Sequence, residues 1–140
     1  MIRSRRVAGT LLVLYLVAAA VIVLSPSSEL PSDAARAIWR VLRDLGAPTW
    51  VDKDAVEVVT NVLLFVPLSY LGSTFRPHWG WWRWLAAGFA LTFAIELVQA
   101  MFLPGRTPDA VDMVANTVGA LVGYWLSLIE LPARRRRRGR

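Results

Sequence analysis

Uncharged apolar runs alternate with short polar intervals along the chain, and four of the runs are long enough to be membrane spans. The first, from Val7 to Leu24, continues for eighteen residues without a charge, about 27 Å of helix, enough to cross a hydrocarbon core. The second covers 55–72 and carries Glu57 near its start and Pro67 inside it. Proline removes a backbone donor and bends a helix, which membrane bundles tolerate when neighbours satisfy the freed carbonyl. The third covers 84–103 and the fourth 109–129, joined by a Pro-Gly turn.

In the polar interval 25–54, Ala34, Ile38, Val41, Leu42 and Leu45 share one face, with Arg36, Arg40, Arg43 and Asp44 mostly elsewhere. That spacing predicts an amphipathic helix over 32–45, capped by Ser32 and ended by Gly46. Two placements are open for it: flat on the membrane surface with Trp39 at the interface, or packed across the mouth of the bundle. The interval 73–83 holds Arg76, His78 and Arg83 with Trp79, Trp81 and Trp82, a composition suited to headgroup depth. His78, the only histidine, is read as a loop residue without a chemical role.

An apolar fraction of 56% and a mean hydropathy of +0.46 exceed those of a soluble domain, so the solvent for much of the surface is lipid. The length fits one domain, and without cysteine there is neither disulfide nor thiolate chemistry. The net charge of +6 is concentrated at Arg3, Arg5 and Arg6 and again at Arg134 to Arg138 and Arg140. With both ends in the cytoplasm, eleven of the sixteen Lys and Arg lie inside, and only Arg36, Arg40, Arg43, Lys53 and Arg106 lie outside. The basic segments 1–6 and 130–140 then act as topology signals and anchors for anionic lipid, not as nucleic-acid ligands. The Arg-rich start and Ala18 to Ala20 also resemble a signal peptide, but the apolar run is longer than an h-region and a retained span is expected. The expected fold is an all-α membrane protein: a four-helix transmembrane bundle, N-in and C-in, with a short amphipathic helix in its first outer loop. Its location is the cell membrane, with multiple passes.

Polar residues interrupt this pattern around the third and fourth spans, at Glu96, Gln99, Arg106, Asp109, Asp112 and Asn116. A carboxylate within a span is costly and by default marks a site. Glu96, seven residues before the end of span three, and Asn116, seven after the start of span four, both lie about 10 Å below the outer surface, and Asn61 on span two lies near the same level. Asp109, Asp112, Asn116, Gly119 and Gly123 form one helical stripe, and Gly119-xxx-Gly123 permits close approach of another helix. A polar pocket open to the outside is expected. Glu96 and Asp112 are its candidate acid and base, and Asn61, Gln99, Arg106, Asp109 and Asn116 are its ligand-binding groups. Structural roles compete at each position. Thr107 and Pro108 suit an N-cap and first helical position, and Asp109 suits the positive helix end. Glu96 is able to pair with Arg106, and the amides to bond between helices. No Ser/His or Cys/His set supports nucleophilic catalysis. No cofactor is expected; the metal these residues would suit is a divalent cation held by Glu96, Gln99, Asp112 and Asn116.

Asn61-xxx-Phe65-x-Pro67, Glu96-xx-Gln99 and Arg106-xx-Asp109-xx-Asp112-xxx-Asn116-xx-Gly119, in this order across separate spans, resemble the VanZ-like family of small bacterial membrane proteins. The resemblance covers roughly 61–123, within a core of 55–129. Ser69 departs from it, since members commonly carry glycine there, and the departure is expected to affect helix packing more than chemistry. The resemblance implies an integral membrane protein of about four helices, and its namesake is associated with low-level teicoplanin resistance. Three functions follow as expectations. The first is binding or modification of a cell-wall lipid intermediate or lipoglycopeptide at the outer leaflet, with Arg106 contacting an anionic group. The second is an acid/base hydrolase or transferase acting on a lipid-linked substrate, with Glu96 as acid and Asp112 as base. The third is a structural bundle assisting an envelope complex. The partners expected are membrane lipids, such a lipid-linked precursor or lipoglycopeptide, and a second copy of the chain.

Overall fold

A computed structural model describes the backbone of residues 5–23, 29–102 and 109–138, and the side chains of 5–22, 34–102 and 109–129. The described chain is all helix: α1 (Arg5–Val23), α2 (Glu29–Asp44), α3 (Lys53–Phe75), α4 (Trp81–Phe102) and α5 (Ala110–Arg138). Among the described residues, α1, α3, α4 and α5 are long and apolar enough to cross a membrane, and α2 is not among them. Much of their apolar surface stays uncovered: Val13, Leu14, Val17, Leu63, Phe93 and Ile129 are all exposed. The buried stripes are narrow and mostly small or polar, with Val56, Phe65, Leu71 and Trp84 as the large apolar exceptions. Lipid as solvent accounts for both features, since helices in lipid gain little from burying apolar side chains and associate through close packing and hydrogen bonds.

Helix α5 is the centre of the bundle. It packs most extensively on α3 and also against α4, α1 lies along α3, and α3 meets α4 where the Trp84 ring lies against Gly72. Glycine makes the α3–α5 approach possible. A Cβ at Gly119 would overlap the Val62 carbonyl, and one at Gly123 would overlap both the Val66 carbonyl and Ser69 Oγ. Ser69 is fully buried there, and its hydroxyl donates back to the Phe65 carbonyl at 3.3 Å. The α4–α5 contact uses Gly88, where a Cβ would meet Ala120 Cβ at 2.6 Å.

The helix ends have local causes. Asp52 caps α3 by accepting from the Ala55 N–H at 2.8 Å, so this helix begins before the apolar run does. Helix α4 takes in Trp81 and Trp82 as its first turn, three residues earlier than the expected start at Trp84. Helix α2 begins at Glu29, which places Ser32 inside its first turn instead of at the cap. Its other end is the expected one. Gly46 has φ +84, and the bonds Gly46 N–H to Arg43 O (3.0 Å) and Ala47 N–H to Leu42 O (2.9 Å) make a Schellman closure that glycine accommodates without strain. Helix α2 folds back against α3 and buries Ala35. Trp39 Nε1 donates to the Val51 carbonyl in the linker at 3.1 Å, while Ile38, Val41 and Leu45 remain exposed.

Candidate functional site

The first turn of α5 sets the site. Asp109 lies just before the helix, and its carboxylate accepts from the Val111 N–H at 2.7 Å, while its carbonyl accepts from the Met113 N–H at 3.2 Å. These are the bonds of an N-cap. The Asp109 N–H itself points outside the helix and donates to Glu96 Oε2 of α4 at 3.2 Å. Glu96 is 8% exposed, so this buried carboxyl group is held at the positive end of a helix dipole.

Deeper pairings follow from the close α3–α5 and α4–α5 contacts. Asn61 Nδ2 on α3 donates to Asp112 Oδ1 on α5. One turn further along α5, Asn116 Nδ2 donates to Thr92 Oγ1 on α4 at 2.9 Å. Asn116 is 7% exposed, yet its other amide atom, Oδ1, has no hydrogen-bond partner. Gln99 is buried beside them on α4.

These groups surround a cavity of about 260 Å³. Helix α3 contributes Glu57, Thr60 and Asn61, α4 contributes Glu96 and Gln99, and α5 contributes Asp112 and Asn116. Ala34 and Ala35 of α2 and Ile22 of α1 complete the wall. Three carboxylates and no basic side chain line it among the described residues. Glu57 also forms an ion pair with Lys53 at 3.1 Å. A second, almost wholly apolar cavity of about 230 Å³ lies between α1, α3 and α4. Leu64, Phe65 and Ile95 line both, so the apolar cavity adjoins the polar one across a common wall. Beside this shared wall the Tyr15 hydroxyl donates to the Leu64 carbonyl, tying α1 to α3.

The structure thus gathers Asn61, Glu96, Gln99, Asp112 and Asn116 around one cavity. Asp109 stands at its edge, with its side chain engaged in capping and its backbone holding Glu96. Arg106, with Thr107 and Pro108, lies outside the described residues. A common depth suggested that Asn61, Glu96 and Asn116 meet; the direct bonds instead join Asn61 to Asp112 and Asn116 to Thr92. Thr92 went unnoticed, although it lies at i−4 from Glu96 and i−7 from Gln99, on their face of α4. Glu57, near the start of the second span, also lines the cavity. His78 is exposed in the α3–α4 loop. Among the described residues, no group of three or more Asp, Glu or His side chains is arranged to hold a metal ion.

The sequence matches the VanZ/LLP1 family over residues 12–130. It is also similar to Protein VanZ of Enterococcus faecium, with 31% identity over 70 residues, covering 50% of this chain and 43% of that protein. The matched part is therefore less than half the length of that relative. No solved structure matches the chain. The family match begins within α1, ends just beyond the fourth span, and takes in every residue lining the two cavities, so this chain belongs to the VanZ/LLP1 family.

Proposed function

We propose that the protein binds a single-headed amphiphile at the outer leaflet, with the polar head in the cavity beneath α2 and the apolar chain in the cavity between α1, α3 and α4. The observation that carries this reading is the shared wall of Leu64, Phe65 and Ile95. A polar space adjoining an apolar one suits a molecule with those two parts in one covalent unit, its head and chain meeting at the shared wall. The family relationship supports an envelope role. Lipid-linked cell-wall intermediates and lipoglycopeptides both have this two-part form. The excess of basic residues at both termini supports an N-in, C-in orientation, which opens the polar cavity outward with α2 at the outer interface.

Photo-crosslinking tests the reading. A single-chain alkyl glucoside with a diazirine on its chain is added to the full-length protein in nanodiscs. The expected label falls on Leu16, Ala20, Leu91 and Ala94, which line the apolar cavity, and excess unlabelled glucoside competes it away. Label spread over the outward-facing Val13, Val17 and Phe93, without competition, would overturn it.

A further inference from the structure

We propose that the head group accepted by the polar cavity carries a protonated primary amine, hydrogen-bonded by Asn116 Oδ1 and the Glu96 carboxylate. The assignment rests on the amphiphile reading above and gives it a ligand class.

The hydrogen-bonding inventory of the wall leads to it. The Asn61 amide donates to Asp112, and the Asn116 amide donates to Thr92. One N–H of each amide is thereby engaged within the protein, while the carbonyl oxygen of Asn116 is left as a buried acceptor. Asn116 Oδ1 is buried without any donor, an unfavourable state for a buried acceptor that a donor in the cavity would relieve. Glu96 has one oxygen on the Asp109 N–H, which leaves its carboxylate further acceptor capacity. Glu57, Glu96 and Asp112 make the lining acidic; Lys53 pairs with Glu57, and among the described lining residues no lysine, arginine or histidine offsets Glu96 and Asp112.

A phosphate or carboxylate head placed here would meet like charge and acceptors facing acceptors. A sugar hydroxyl would supply donors without relieving the charge. A primary ammonium does both, because it brings three N–H donors and one positive charge in a compact group. A quaternary ammonium brings the charge without the donors. This difference separates hydrogen-bonded recognition from simple charge attraction.

The test uses the full chain in zwitterionic nanodiscs and competition against the photoreactive alkyl glucoside. Four competitors share one alkyl chain length: a primary alkylammonium, an alkyltrimethylammonium, an alkyl glucoside and an alkyl phosphate. The primary ammonium is expected to displace the probe about tenfold better than any of the others, one charge-assisted hydrogen bond's worth of discrimination. Glu96→Gln keeps an acceptor for the Asp109 N–H and is expected to abolish the preference of the primary ammonium over the other three competitors. Asn116→Leu is the second variant, with thermal melting reporting whether each is folded. If the phosphate, glucoside or trimethylammonium competes as well as the primary ammonium, the amine assignment is overturned and amphiphile binding stands. If no competitor displaces the probe, both fail.

Discussion

The Glu96 carboxylate on α4 accepts a 3.2 Å hydrogen bond from the backbone N–H of Asp109, the residue whose side chain caps α5. One residue thereby closes a helix end and fixes a buried carboxyl group on a neighbouring helix. The bond also couples the α4–α5 spacing to the start of α5. Glu96→Gln preserves the acceptor and is expected to leave thermal stability in micelles within experimental scatter. Glu96→Leu leaves the Asp109 N–H without its acceptor and is expected to destabilise by about 1–3 kcal/mol. Equal melting of the two variants would mean that this bond does not hold the helices together.

Capping and ligand binding by the Asp109 side chain predict different outcomes for paired substitutions. Asp109→Ser retains a capping oxygen and removes the charge, whereas Asp109→Ala removes both. Capping predicts that serine is tolerated and that alanine costs about 1 kcal/mol, measured by thermal or denaturant unfolding in micelles. If serine is as damaging as alanine, the negative charge near Glu96 and Asp112 matters more than the cap.

Close packing of α5 on α3 is the most sterically constrained contact in the bundle. Gly119→Ala drives a methyl group into the Val62 carbonyl, and Gly123→Ala drives one into the Val66 carbonyl and Ser69 Oγ. Backbone atoms yield poorly, so each change is expected to cost about 1–3 kcal/mol. Ser69→Gly restores space at Gly123 only on the side-chain side. It is therefore expected to rescue Gly123→Ala in part and Gly119→Ala not at all. Unfolding of the single and double variants measures this directly, and full rescue of either would show that the backbone approach is looser than the structure implies.

The four spans and α2 were legible because each depends on a local signal: an uncharged run of sufficient length, or a 3.6-residue period ended by glycine. Element ends were less legible. Asp52 starts α3 through a side-chain bond that hydropathy does not register, and Trp81 and Trp82, two of the three tryptophans of the interfacial interval 73–83, are in the first turn of α4. For the site, helix rise gave the depth of Asn61, Glu96 and Asn116 but not the direction each faces around its helix. Direction decides the partner. Asn61 meets Asp112 because Gly119 and Gly123 bring α3 against α5. Thr92 was missed for a related reason. A lone hydroxyl in an apolar run looks neutral, and its role appears only when Asn116 reaches it from another helix.

That Asn61–Asp112 bond predicts a measurable coupling. Asn61→Leu leaves Asp112 without its amide donor, whereas the Asn61→Leu, Asp112→Leu pair removes both polar groups together. The double variant is expected to be less destabilised than the sum of the two singles, by about 0.5–3 kcal/mol, the range for residues in one network. Additive effects would show that the two side chains act independently.

Helix α2 supplies the last expectation, because among its described side chains only Ala34 and Ala35 line the polar cavity. Ala35 is buried and Ala34 exposed, so Ala34 sits where the wall meets the outside. Ala34→Trp adds a large side chain at that rim without forcing it into the packed α2–α3 contact. It is expected to leave the melting temperature nearly unchanged and to weaken competition by the alkyl glucoside about tenfold, a steric loss equivalent to about 1.4 kcal/mol. Ala35→Trp has no such outlet and is expected to destabilise α2 itself by overpacking. If Ala34→Trp binds the glucoside as well as the unaltered protein does, the head group enters by another route and α2 is a strut between the linker and α3, not part of the entrance.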